Sequence, residues 1–103
     1  MSDQDFTLQI IGNWKDLDPA DDNVDVYVTL PSGQRFSATF FTPRNVESLL
    51  DKNEATGECA KGLYLWASEM IVIRRLTEDS VLRAVGDLLD SGEFEAAFRA
   101  LHE

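Results

Sequence analysis

"VDVYVTLPSGQRFSATFF", residues 24–41, alternates apolar and polar side chains on both sides of a short turn. Successive side chains of a strand point to opposite faces, so this alternation predicts two strands that each cover one face. The covered positions are Val24, Val26, Val28 and Leu30 in the first strand, and Phe36, Ala38 and Phe40 in the second. Between them, Pro31 presets φ for a turn and Gly33 accepts a conformation that residues with a Cβ resist. The stretch therefore predicts an antiparallel hairpin.

The flanking segments extend this hairpin into a sheet with a helix. "DFTLQII", residues 5–11, alternates in the same way and predicts a strand, and residues 12–23 predict a loop rich in Asp and Asn. After the hairpin the apolar spacing changes to that of a helix. Thr42 is a suitable N-cap with Pro43 at the first helical position, and Gly57 predicts the end of the helix.

The most apolar part of the chain follows, in "GLYLWA" (62–67) and "EMIVIRRL" (69–76). Both segments are apolar on both alternation faces, which predicts two strands that are central in the sheet or covered on both sides. The "WASE" where the two segments meet, residues 66–69, is either a tight turn or a bulge in one long strand. Either way we expect Trp66 and Ser68 near an end of the sheet.

Two helices are predicted to complete the chain. Thr77 caps the first, Gly92 ends it, and its apolar stripe predicts the buried face, namely Val81, Leu82, Val85, Leu88 and Leu89. "EFEAAFRALHE", residues 93–103, has helical spacing and predicts a short final helix. We therefore expect one α+β domain over residues 1–103, in the order βββ-α-ββ-αα, with a mostly antiparallel sheet of about five strands and helices packed on it.

The charge of the chain restricts its partners. Nineteen Asp and Glu against nine Lys and Arg give a net charge of −10, which repels nucleic acids and anionic membrane surfaces. The excess of acid has two explanations, solubility or the attraction of a basic partner protein. A single cysteine, Cys59, and an acidic N-terminal segment without a secretory pattern favour a cytoplasmic protein.

Residue types for catalysis or metal binding are poorly represented. In the acidic run of residues 16–25, Asp16 and Asp18 have the spacing of calcium ligands, but Asp21 replaces the glycine that such loops need and Tyr27 replaces the closing Glu. His102 is the only histidine and lies near the C-terminus, where a general base is poorly held. We expect no catalytic residue, no metal site and no cofactor.

Aromatic and acidic residues are the remaining candidates for function. Trp14, Tyr64 and Trp66 combine apolar area with a polar tip, which is typical of interface anchors and equally of residues at the margin of a core. The predicted partner-binding residues are Trp14, Asp16, Asp18, Asp21, Asp22, Tyr64, Trp66, Ser68 and Glu69.

Residues 56–98 resemble a family of small bacterial proteins of uncharacterised function. The resemblance rests on "TGEC", on "GLYLWASEMIVI" and on "LLDSGEFEAAF". Such small acidic domains look similar to immunity proteins that neutralise polymorphic toxins. The family pattern implies no catalytic motif, and Glu69 stands where an Asp is expected, which keeps the charge.

The expected function is a non-catalytic, cytoplasmic protein-binding domain, and its immunity-type form would be an inhibitor of a basic toxin. The alternative is a small ligand-binding domain or enzyme with a pocket near residues 64–69. Association of two copies of the chain as a homodimer remains open.

Overall fold

The computed structural model describes residues 5–102. The strands are β1 (Thr7–Ile10), β2 (Asn23–Thr29), β3 (Arg35–Phe41), β4 (Met70–Val72) and β5 (Arg99–Leu101). The helices are α1 (Pro43–Thr56), α2 (Glu58–Gly62), α3 (Glu78–Ser91) and α4 (Phe94–Ala97), and a 3-10 turn spans Trp14–Asp16. The predicted α+β class with a five-stranded, mostly antiparallel sheet is confirmed.

The sheet is organised around β3. On one side β3 pairs with β2, which pairs with β1, and both pairings are antiparallel. On its other side two short strands lie end to end: β4 runs parallel to β3 beside Thr39–Phe41, and β5 runs antiparallel beside Arg35–Ser37. The central strand therefore carries three neighbours.

One face of the sheet is covered by α3, α4 and the residue that follows α4. The alternating residues of β2 and β3 that the sequence predicts as covered, from Val24 to Val28 and from Phe36 to Phe40, are buried there against Val81 and Val85 of α3. Phe94 stacks on Phe98, with ring centroids 4.5 Å apart. Their rings also contact Phe36 and Phe40 respectively, at 4.9 and 6.0 Å. The core is thus a layer of Val and Phe between sheet and helix.

Turn and capping residues act as predicted. The hairpin turn closes with Leu30 N–H to Gln34 O at 2.9 Å and Gly33 N–H to Leu30 O at 2.8 Å. The hydroxyls of Thr42 and Thr77 accept the backbone N–H groups of Asn45 and Ser80, which caps α1 and α3. Gly57 and Gly92 end these two helices in the left-handed conformation that favours glycine.

Three predictions about local structure are wrong. Residues 62–67 are not a strand: α2 extends to Gly62, residues 63–67 lie between α2 and β4, and β4 begins only at Met70. Among the described strands, β4 pairs with β3 alone, so it is an edge strand and not a central one. It is not covered on both sides either, because Val72 is 56% exposed. The fifth strand comes instead from residues 99–101, where a helix was expected, because Phe98 leaves the helix with extended backbone to reach the core.

The stripe predicted for α3 also needs correction. Leu82 is 39% exposed, whereas Gly86 is buried.

Candidate functional site

The strongest candidate for a functional surface is the segment of residues 63–67, between α2 and β4. Leu63 is 80% exposed, Tyr64 50% and Trp66 68%, so three large apolar side chains within four residues face solvent. The question left open in the sequence, whether Trp66 belongs to the core or to the surface, is answered in favour of the surface. Clustered exposure of large apolar side chains marks interaction sites in soluble proteins.

The segment is held at its N-terminal end by an unusual backbone turn. Within α2, Cys59, Ala60 and Lys61 all have left-handed φ and ψ angles, and Gly62 follows with φ of 81°. The turn packs against α1 so closely that a Cβ on Gly62 would lie 2.4 Å from the carbonyl oxygen of Leu50. Since residues with a Cβ lose about 1–2 kcal/mol each in this conformation, the packing on α1 must hold the turn in place.

The C-terminal end of the segment is held by the sheet. Ser68 and Glu69 form a turn, and the carbonyl of Glu69 accepts the backbone N–H of Thr39 at 3.1 Å before β4 begins. Glu69 itself has a positive φ of 48°. The exposed residues are therefore fixed at both ends, which lowers the entropy lost when they bind a partner.

A small polar pocket adjoins this segment on the sheet face opposite α3. It encloses about 180 Å³, and its lining residues are Asp25, Tyr27, Ser37, Ala38, Thr39, Ser68, Glu69 and Arg99. Thr39 donates its hydroxyl to Oδ1 of Asp25 at 2.7 Å, a bond between directly paired residues of β3 and β2. Small-molecule sites usually enclose roughly 300–1,000 Å³, so this volume suits a single side chain better than a substrate.

A wider depression of about 400 Å³ lies at the hairpin turn, where Phe6, Leu30 and Leu82 form its apolar wall. None of the partner-binding residues predicted from the sequence lines it. It therefore adds nothing to the predicted site.

The acidic residues of the first loop have mainly local roles. The carboxylate of Asp22 accepts the backbone N–H groups of Asp18 and Asn23, and that of Asp18 accepts the N–H of Ala20. The backbone of Asp22 is also bonded to Thr42. These two carboxylates shape the loop, while Asp16 is exposed and Asp21 half-buried.

Trp14 is half-buried and packs against the core, so its side chain completes the hydrophobic layer. Of the predicted residues, Ser68 and Glu69 line the pocket, and Tyr64 and Trp66 lie on the segment leading into it. The first loop, which contains the four aspartates, is joined to the rest of the fold by hydrogen bonds from Asp22 to Thr42 and from Leu76 to Pro19.

Sequence reasoning missed Asp25, Thr39 and Arg99. Asp25 and Thr39 lie on the polar face of the predicted hairpin, so their pairing was within reach of the sequence pattern. Arg99 was not, because it was assigned to a helix instead of β5.

Neither a metal site nor a membrane span is found in the part of the chain that the structure describes. Within residues 5–102, no three His, Cys, Asp or Glu side chains form a group suited to a metal ion. Over the same residues, every helix is too short or too polar to cross a membrane.

Comparison of the chain with protein-family models, curated proteins and solved structures finds no match.

Proposed function

We propose that this chain is a non-catalytic, cytoplasmic protein-binding domain whose contact surface comprises the segment of residues 63–67 and the turn of Ser68 and Glu69 that follows it. The observation that carries the proposal is the exposure of Leu63, Tyr64 and Trp66 on a segment held at both ends. Tryptophan and tyrosine contribute most of the binding energy at many protein interfaces, because they bury a large area and lose little conformational freedom.

The partner that fits this surface is a basic protein. The net charge of −10 opposes the approach of a second acidic copy of the chain and attracts a cationic partner. A small acidic domain that covers a functional surface of a basic toxin would act as an immunity-type inhibitor. The sequence of residues 56–98 resembles a family of small bacterial proteins of uncharacterised function, and small acidic domains of this kind look similar to immunity proteins, which is the reason for proposing this form.

The test uses wild-type chain and two variants as bait. Trp66→Ala removes the proposed anchor, and Leu82→Ala truncates a partly exposed leucine on α3 outside residues 63–69. Proteins of the host lysate are captured at low and moderate salt, and any stoichiometric basic protein is then purified and titrated calorimetrically against all three chains.

Binding weakened about 30-fold or more by Trp66→Ala, with Leu82→Ala close to wild type, is the expected result for an interface anchor. Protection of cells that express the purified partner by wild type, but not by Trp66→Ala, would support the inhibitor form. Equal affinity of Trp66→Ala and wild type would reject the segment as the contact surface.

A further inference from the structure

We infer that the polar pocket beside this segment receives one lysine or arginine side chain of the basic partner. This inference rests on the proposed function, because it assigns a specific role to a pocket that adjoins the proposed contact surface. The pocket is lined by residues of three strands and of the turn before β4, and it opens on the sheet face that α3 leaves uncovered.

The shape of the pocket follows from the order of strands. Its floor is β3, where Ser37 and Thr39 are short and Ala38 points to the opposite face. Longer side chains rise from the neighbours on both sides: Asp25 and Tyr27 from β2, and Arg99 from β5. Short residues between longer ones form a trough of about 180 Å³, a volume that suits one side chain.

The charges of the pocket are arranged in two rows. Asp25 pairs with Thr39 from one side, and on the other side Thr39 pairs with Met70, which directly follows Glu69. Asp25 and Glu69, which both line the pocket, therefore lie on the two sides of Thr39. Arg99 pairs with Ser37 and therefore belongs to the next row on that face, about 7 Å further along the strand. The part of the trough beside Thr39 therefore carries two carboxylates and lies away from Arg99, so it suits a cationic group.

One of these carboxylates is already oriented. The hydroxyl of Thr39 donates to Oδ1 of Asp25, which fixes the side chain, and within residues 5–102 Oδ2 keeps its capacity to accept a further hydrogen bond. An ammonium or guanidinium group has several N–H donors and no acceptor, so it can donate to carboxylate oxygens and to serine hydroxyl oxygens. Ser68 supplies such a hydroxyl at the rim, directly beyond the aromatic segment.

The test titrates isotope-labelled protein with N-acetyl-arginine amide and follows backbone amide shifts by NMR. N-acetyl-citrulline amide is the control ligand, because it has nearly the same shape without the charge. The site variant is the double substitution Asp25→Asn and Glu69→Gln, which keeps side-chain size. The matched variant, Asp16→Asn and Asp51→Asn, removes the same charge from exposed positions outside the pocket lining.

We expect saturable shifts at Thr39, Ser68 and Glu69 with the arginine compound and much smaller shifts with the citrulline compound. Affinity should fall about fivefold in the pocket variant, as for the loss of an ion pair worth about 1 kcal/mol, and stay near wild type in the matched variant.

Equal responses to the two compounds, or equal weakening by the two double variants, would overturn the inference. Inorganic phosphate that saturates the same amides, with loss of the response in Arg99→Gln, would identify an anion site instead and would also overturn it. The titration needs no partner protein, and Trp66→Ala should still bind the arginine compound. Absence of binding by the pocket can therefore be told apart from failure of residues 63–69 as the contact surface.

Discussion

The segment of residues 62–67 is more apolar than the hairpin strands, yet Leu63, Tyr64 and Trp66 are exposed, while every second side chain of β2 and β3 is buried. In β2, Val26 and Val28 are completely buried, whereas Leu63 and Trp66 are mostly exposed. The difference lies in the pattern. Apolar residues alternate with polar ones along β2, while "GLYLWA" has no alternation and no polar face. Apolar content alone therefore did not indicate burial in this chain.

The two regions also differ in backbone energy. β2 and β3 are paired along seven residues in ordinary extended conformation. The segment is introduced by three non-glycine residues in the left-handed conformation, which is costly for them. The hairpin of β2 and β3 supplies stability, and the irregular segment places side chains at the surface.

Truncation of one aromatic residue in each region should separate these roles most clearly. Phe36→Ala removes a buried ring in contact with Phe94, and we expect it to lower the free energy of unfolding by about 3–5 kcal/mol. Trp66→Ala should change it by less than about 0.5 kcal/mol, as for other surface positions. Urea denaturation of both variants measures this difference. A similar loss in both would mean that Trp66 belongs to the core.

A methyl group added to each of two glycines should test how the segment is held. Gly62→Ala introduces a Cβ that collides with α1 and forces alanine into a positive φ, so we expect a loss of roughly 2 kcal/mol or more. Gly33→Ala meets no neighbour within 4 Å and should cost about 1 kcal/mol from φ alone. Hydrogen exchange should show lost protection around residues 57–62 only in Gly62→Ala. Unchanged protection there would contradict the close packing on α1.

Thr42 lies between β3 of the hairpin and α1, the helix on which the turn before the exposed segment packs. Its buried hydroxyl oxygen accepts the N–H groups of both Asp22 and Asn45. We expect Thr42→Ala to lower the free energy of unfolding by about 2 kcal/mol. Thr77→Ala should lower it by about 1 kcal/mol, because the Thr77 hydroxyl accepts one backbone N–H, that of Ser80 at the start of α3. Thr42→Ser should restore most of the loss in thermal denaturation. Equal costs for the two alanine variants would show that the bond to Asp22 adds nothing.

The smallest effect should come from Ala→Gly changes, and its sign should differ between positions. Ala60 has φ of 53°, so glycine relieves strain there, and we expect stabilisation of up to about 1 kcal/mol. Ala55 is exposed near the end of α1, where glycine should cost about 1 kcal/mol. Calorimetric melting temperatures should move in opposite directions. Destabilisation of the same size in both variants would argue against the left-handed turn.

Local chemistry made much of the fold predictable. The hairpin with Gly33 and the caps Thr42 and Thr77 depend on interactions within a few residues, so the sequence pattern contains them. The parallel pairing of β4 and the extension of Phe98 into β5 depend on contacts between distant residues. The local pattern gives no measure of such contacts.

The candidate site divides in the same way. Trp66 was recognisable as an unusual residue in an apolar run, but its 68% exposure depends on how the chain runs after the turn that packs on α1 at Gly62. The pocket joins residues from β2, β3 and β5 with Ser68 and Glu69, so it exists only when the sheet is complete.

The position of β5 has a consequence for the kinetics of folding. In the hairpin, Thr29 pairs with Arg35 six positions away, whereas Arg35 pairs with Leu101 at a distance of more than sixty. The larger loop costs about 2 kcal/mol more entropy to close, so β2 and β3 should associate early and β5 should dock late. Substitutions in β5 should then accelerate unfolding with little effect on the folding rate, while those in the hairpin slow folding. Because Arg99 forms one wall of the pocket, the pocket should be completed in the last step of folding.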